Sequence, residues 1–178
     1  KGFCPQAAAK LAISVRSSKC DKTAAKLLVG GIPSLKCEKT AATLVSSIRA
    51  AGCEIALYVP DRLKEGYGPN TPALLKLKEE GASVVVTVDC GPSAHESLTA
   101  AADAGLDVIV VDHHEAEAKL PPATAVINPN RFDDDSGQGQ LAAVGVAFLL
   151  VVAVNRALRD AGWYRDRPEP DLTQWLDL

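Results

Sequence analysis

Two short stretches of the sequence combine side chains that bind cations and move protons. One is Asp112-His113-His114, which directly follows the apolar run Val108–Val111. The other is Asp89-Cys90-Gly91-Pro92, which follows Ser83–Val88, read SVVVTV. A carboxylate and two imidazoles are hard and borderline donors together, a set suited to Mn²⁺, Mg²⁺ or Zn²⁺. The plainer reading is two strands that end in polar loop residues. Three ligand types in a row weigh against it, because clustered titratable groups mark sites.

The elements that must position these groups follow from the same stretches. Each apolar run is uninterrupted and β-branched, the pattern of a strand buried on both faces of a parallel sheet. Such strands deliver their carboxyl ends to the crevice where open α/β sheets bind ligands. After Asp89, Gly91 permits a sharp turn and Pro92 suits the first turn of a helix. The helix SAHESLTAAADA then stops at Gly105, a good residue just past a helix end. A right-handed crossover makes the two strands parallel and sets both acidic ends on one sheet edge. Asp89 and His113 are therefore expected within about 5 Å of a common point, as shared metal ligation requires.

The remainder of the chain predicts a sheet built the same way. A strand at Lys26–Val29 is broken by Gly30-Gly31-Ile32-Pro33, and a helix is expected over Lys39–Ala51. Cys53–Val59 reads as a strand, Asp61–Asn70 as a loop, and Pro72–Glu80 as a helix. Past the His pair come a loop at Ala116–Thr124, a short strand at Ala125–Asn128 and a polar loop at Asn130–Gly139. Leu141–Ala161 is a long, very apolar helix, Arg165–Asp171 a charged linker, and Leu172 starts a further helix. The rhythm is βαβαβαβ, which predicts an α/β fold: a doubly wound, mostly parallel sheet flanked by helices.

Bulk properties narrow the function classes. The chain has 178 residues, 47% hydrophobic, with a formal net charge of −3. That length suits one α/β domain, or one domain with a fragment of a second. The apolar content excludes a disordered chain. Mild acidity excludes a surface coated for nucleic acid but leaves room for a local basic cleft. No apolar run reaches the ~20 residues needed to span a bilayer, and no secretory signal opens the chain, so no membrane partner is expected. Five cysteines without a C-x-x-C pair read as reduced thiols of a cytoplasmic protein, expected to be a monomer. Cys4, Cys20, Cys37 and Cys53 are too loosely spaced for a zinc site. The start at Lys1 and the apolar end TQWLDL predict a piece of a longer protein. Ser17–Leu27 and Ser34–Leu44 repeat each other, too briefly for a repeat architecture, and have no physical account.

Weaker candidates surround the main one. Arg62, Lys64, Tyr67 and Asn70 could contact phosphate or a stacked base, as cations and aromatic rings do on single strands. A turn held by Gly66 and Gly68 accounts for them equally well. Gly145, within Val144-Gly145-Val146, could let a phosphate approach backbone N–H groups, or could serve close helix packing. Asp133-Asp134-Asp135 reads as a solvated loop rather than a cation site. His95 reads as a surface residue in the first turn of a helix.

VVVTVDCG, GLDVIVVDHHE, LPPATAVINPNR and LAAVGVAFLL resemble the DHH phosphoesterase superfamily, and within it the RecJ-type single-strand-specific exonucleases. PDRLKEGYGPN is similar too. The resemblance runs over about residues 29–178, strong from Tyr58 onward and poor before it. It implies a DHH domain at 29–164, with 1–28 a poorly matched N-terminal segment and 165–178 a linker and the start of a further helix of that domain, truncated at its C-terminus. It implies a two-metal site holding Mn²⁺ or Mg²⁺, and 5′-to-3′ hydrolysis of single-stranded DNA in repair and recombination. Carried over, Asp89 would bridge the metals, His113 would be a direct ligand, and Asp112 would belong to the metal site and orient an imidazole. His114 would sit by the scissile phosphate or its attacking water. Two cations about 4 Å apart suit that chemistry, activating water and stabilising the leaving oxygen.

The departures from the family pattern matter as much. The family's first motif is a D-x-D in a GDYDVDG-like stretch, and an ungapped alignment sets it against Gly31–Cys37, GIPSLKC. Ile32, Ser34 and Lys36 then hold the acidic positions; sliding the alignment offers Glu38 or Asp21, one acid each. A further family Asp would lie beyond Leu178. Two alternatives to the exonuclease therefore stand. One is an inactive or incomplete DHH domain that keeps the fold and binds nucleic acid or one metal. The other is a small-molecule phosphatase of the same superfamily, which fits the His pair but fits EGYGPN and VGVAF less well.

Overall fold

The computed structural model describes residues 25–29, 35–50 and 55–175. Its strands are β1 (Ala25–Val29), β2 (Ile55–Tyr58), β3 (Val84–Val88), β4 (Asp107–Val111) and β5 (Ala125–Ile127). Its α-helices are α1 (Leu35–Ala50), α2 (Arg62–Glu65), α3 (Thr71–Glu79), α4 (His95–Asp103) and α5 (Ala143–Asp160). The strands form one sheet in the order β2-β1-β3-β4-β5, and every neighbouring pair is parallel. The expected doubly wound sheet is thus present.

Alternation along the central strands builds a core on each face. Val84, Val86 and Val88 join Ile109 and Val111 against Leu44, Val45 and Ile48 of α1 and the buried stripe of α5. Val85, Val108 and Val110 pack on Leu74 and Leu77 of α3 and Leu98 and Ala101 of α4. Successive strand side chains point to opposite faces, so an unbroken valine run is what a sheet covered on both sides requires. The α5 stripe is Val146, Ala147, Leu150, Val151, Val154 and Leu158, spaced as one helical face. Among the described residues no helix is long and apolar enough to cross a membrane.

Two local outcomes differ from the sequence expectations. The segment Asp61–Asn70 contains the one-turn helix α2. Asp61 starts it, its Oδ1 accepting from the Leu63 N–H at 3.0 Å, while Glu65 Oε1 accepts from the Asp61 N–H at 2.8 Å. These reciprocal bonds resemble a capping box one residue longer than usual. The element begun at Leu172 is a 3₁₀ turn, Leu172–Trp175. It follows a segment tied down by Glu169, which pairs with Arg159 and accepts from Asn155 at 2.7 Å.

Register fixes the working edge of the sheet. Val29 lies level with Val88, and Val88 with Val111. The residues following β3 and β4 therefore leave the sheet side by side. The Asp89 N–H donates to the Val111 carbonyl at 2.9 Å, and the Asp112 N–H donates to the Ile127 carbonyl at 3.0 Å.

Candidate metal centre

At this edge Asp89, His113 and His114 each offer a donor atom, and the three atoms lie within 4.8 Å of one another. No other group of three or more such residues occurs among the described residues. His113 Nε2 stands 3.3 Å from Asp89 Oδ1, and the two imidazole rings are 4.6 Å apart, tilted by 45°. The convergence of Asp89 with His113 matches the geometric expectation from the crossover. One carboxylate oxygen and two imidazole nitrogens suit a borderline divalent ion such as Mn²⁺. The donor set fits a metal on its chemistry alone.

Asp89 holds its place through an unusual backbone. Its φ is +59°, in the left-handed region that Asp tolerates better than most residues. Gly91 follows at φ +108°, and a Cβ there would stand 3.1 Å from Thr87 Oγ1. The same Thr87 hydroxyl, fully buried, donates to the Cys90 carbonyl at 3.3 Å. The strand thus ends in a turn too tight for a side chain at Gly91, and Asp89 is swung out over the edge. Backbone outliers of this kind cluster at functional sites.

Asp112 lies behind the cluster, against the imidazole of His114. Its carboxylate is fully buried, and Oδ1 lies 2.9 Å from His114 Nδ1 while Oδ2 accepts from the His114 N–H at 3.0 Å. A carboxylate cannot stay buried without partners, and His114 supplies both. The residue therefore faces the imidazole, and His114 takes the third place in the cluster. The Asp112 hydrogen bond, helped by the charges of Asp112 and Asp89, raises the His114 pKa above its ordinary value against a partial desolvation. With Nδ1 engaged, Nε2 is the nitrogen left for a ligand.

The weaker candidates are placed as follows. Tyr67 has an exposed ring, and its hydroxyl donates to the Asp89 carbonyl at 2.8 Å. Asn70 caps α3, its Oδ1 accepting from the Ala73 N–H at 2.8 Å. Arg62 belongs to α2. Gly145 lies in the first turn of α5, where its N–H donates to the Ala142 carbonyl and a Cβ would stand 3.1 Å from Leu141 Cδ2. Asp133 is paired with Arg131, whose Nε donates at 2.9 Å, and Asp134 accepts from the Ser136 hydroxyl. His95 is half-buried rather than on the surface, with Nε2 3.3 Å from Glu117 Oε2. Ile32, Ser34, Asp21, Cys4, Cys20 and Cys53 lie outside the described residues; Lys36, Cys37 and Glu38 fall within α1.

Sequence reading assigned no role to two side chains beside the cluster. Asn128 Nδ2 donates to the His114 carbonyl at 2.8 Å, and Asn130 Nδ2 donates to the His113 carbonyl at 2.5 Å. The available signal was N-P-N straight after a buried strand, which marks a turn but not what the turn holds.

A parallel sheet that gathers an Asp and two His at its carboxyl edge defines a class, the open α/β folds with a candidate metal centre at the strand ends. The description "DHH family, N-terminal domain" matches residues 34–177, and the chain belongs to the DHH family. The single-stranded-DNA-specific exonuclease RecJ of Salmonella typhimurium is 43% identical over 137 residues, 75% of this chain and 24% of that protein. The chain therefore spans about a quarter of the length of such curated relatives. A crystal structure of exonuclease RecJ bound to manganese matches with a TM-score of 0.75 at 29% identity, covering 96% of this chain and 40% of the other. RecJ from Thermus thermophilus in complex with Mn²⁺ matches with a TM-score of 0.69 at 25% identity, covering 93% of this chain and 22% of the other.

Proposed function

We propose that this chain is the metal-binding portion of a hydrolase that cleaves phosphodiester bonds of single-stranded DNA from the 5′ end, with Mn²⁺ or Mg²⁺ as cofactor. The observation that carries the reading is the convergence of Asp89, His113 and His114 at the carboxyl ends of β3 and β4. Membership of the DHH family and the similarity to RecJ supply the substrate class. The cysteine usage supports a cytoplasmic setting, and the protein is read as a monomer.

In this reading Asp89, His113 and His114 Nε2 would hold the ion. When bound, the ion supplies Lewis-acid stabilisation of charge on the phosphoryl oxygens and lowers the pKa of an attacking water. The chain's own groups prepare the place. Asp112 holds the His114 ring in one tautomer and orientation. His114, half-exposed, sits at the solvent side of the cluster, where a phosphate can reach it. The exposed Tyr67 ring offers a face on which a base can stack, and Arg62 is positioned in sequence to contact phosphate. Asn70 and Gly145 have structural work instead, in capping α3 and packing on Leu141.

Ile32, Ser34 and Lys36 stand where the resemblance expects carboxylates, and this favours a site for one ion in this chain. Calorimetric titration with Mn²⁺ is expected to give one site, lost in His113→Ala. Release of nucleotides from a 5′-phosphorylated single strand is expected to be slow, since each ~1.4 kcal/mol of lost transition-state stabilisation is tenfold in rate. Two tightly bound ions, or fast degradation that vanishes in His113→Ala, would overturn the one-ion reading. An absence of Mn²⁺ binding would remove the metal reading altogether.

A further inference from the structure

Each residue of the cluster has its backbone carbonyl held by a side chain from another part of the chain. Tyr67 Oη donates to the Asp89 carbonyl at 2.8 Å, Asn130 Nδ2 to that of His113 at 2.5 Å, and Asn128 Nδ2 to that of His114 at 2.8 Å. The turn between the two asparagines is also fastened, because Asn128 Oδ1 accepts from the Asn130 backbone N–H at 2.8 Å. Asn128 is only 2% exposed, and β5 delivers it there through the Val111–Ile127 pairing. We infer that Tyr67, Asn128 and Asn130 are positioning residues that orient Asp89, His113 and His114 by gripping their carbonyls, and so set the metal affinity of groups they do not themselves supply.

The physical argument begins at the strand ends. Asp89, His113 and His114 lie just past β3 and β4, where sheet pairing no longer fixes every peptide plane. Rotating a peptide plane moves the attached side chain, whereas a binding constellation needs its donors held within about 0.5 Å. A hydrogen bond to each carbonyl restores the constraint that the strand gave up. Asn suits the task because its amide donates and accepts at once. Tyr suits it because a rigid ring carries one hydroxyl over a long reach. The grips come from two separate loops, one before α3 and one after β5, so the cluster is held by chain segments that carry none of its donors.

This inference rests on the metal reading of the cluster, and its test separates the two. Tyr67→Phe, Asn128→Ala and Asn130→Ala are made singly in this 178-residue chain. Mn²⁺ affinity is measured by calorimetry, folding by urea titration, and the imidazole ¹⁵N signals of His113 and His114 by NMR without metal. The expected result is a loss of affinity of about 10-fold in each variant, the usual effect of removing a group behind a ligand. Cooperative unfolding should persist, and the imidazole signals nearest each lost bond should shift. Anchors of loop stability alone would lower the urea midpoint and leave both affinity and imidazole signals unchanged; that result overturns the inference. If the parent chain binds no Mn²⁺, the metal reading falls, and the metal-free NMR signals alone then decide whether the grips orient the histidines. Should an alanine variant fail to fold, Tyr67→Phe decides, since it deletes one oxygen and keeps the ring.

Discussion

Asp112 carries more of the centre than its burial suggests. Both of its oxygens serve His114, one through the ring and one through the backbone. Asp112→Asn keeps the shape but removes the charge and the second acceptor. The His114 pKa is then expected to fall toward the ordinary histidine value, read by NMR titration of the metal-free protein. In the parent protein the sign is that of a raised imidazole. The pair's contribution to stability is full below the unfolded histidine value and is lost as pH rises through the raised one. At this scale the sequence was legible where residue type decides chemistry: Asp89 and His113 converge as expected, and His114 joins them. It was not legible where direction decides. D-H-H does not say which of the three turns inward, and the inward turn of Asp112 depends on how the chain leaves β4.

A second residue-scale contact is open to titration. The Tyr58 hydroxyl donates to Glu65 Oε2 at 2.5 Å, and that bond, with some burial and the Glu65 charge, pushes the Tyr58 pKa up to about 12. A raised tyrosine stabilises the fold fully below its ordinary value near 10.0 and loses that contribution as pH climbs to about 12. Ultraviolet titration should therefore show a late-ionising tyrosine, and Glu65→Gln should bring its transition earlier. A single early transition for all three tyrosines would contradict the contact.

Among the elements, the turn from β3 into α4 is the least forgiving. Gly91→Ala would force a Cβ into φ +108° and against Thr87 Oγ1 and the Val110 methyls. A loss of about 1–3 kcal/mol is expected, read as a lower urea midpoint. Weaker Mn²⁺ binding should accompany it, because Asp89 belongs to the same turn. The strands and long helices were legible here, because valine runs and the spaced stripe of α5 admit one period each. The one-turn helix α2 was not, since four residues carry no period; its cause is the Asp61 and Glu65 side chains. The Asn-Pro-Asn turn was visible only as a turn, its grip on two distant carbonyls being tertiary.

On the scale of the whole molecule, the two cores share one sheet. Leu150 is fully buried in the core between the sheet and α1 and α5. Leu150→Ala is expected to cost about 2–5 kcal/mol through lost contacts and a residual cavity. The urea midpoint should fall while the slope of the transition stays the same, provided the molecule still unfolds in one step. Parallel pairing followed from the alternation of strands and helices, and the strand order is the common flavodoxin-like one. That order was not written in any single segment. It arises because crossovers on either side of β1 place β2 at one edge and β3 in the centre.

The level register of β1, β3 and β4 makes the sheet behave as a gauge of chain length. Swapping one valine of Val108–Val111 for isoleucine changes a volume and little else. Deleting one shortens the strand by about 3.3 Å, and every side chain beyond the cut trades faces. The apolar composition would survive such a cut, and a protein of similar helix and strand content could still form. Asp112 would then stand where Val111 belongs, and His114 where His113 does. Within these strands, the site should accept many changes of letter and no change of count.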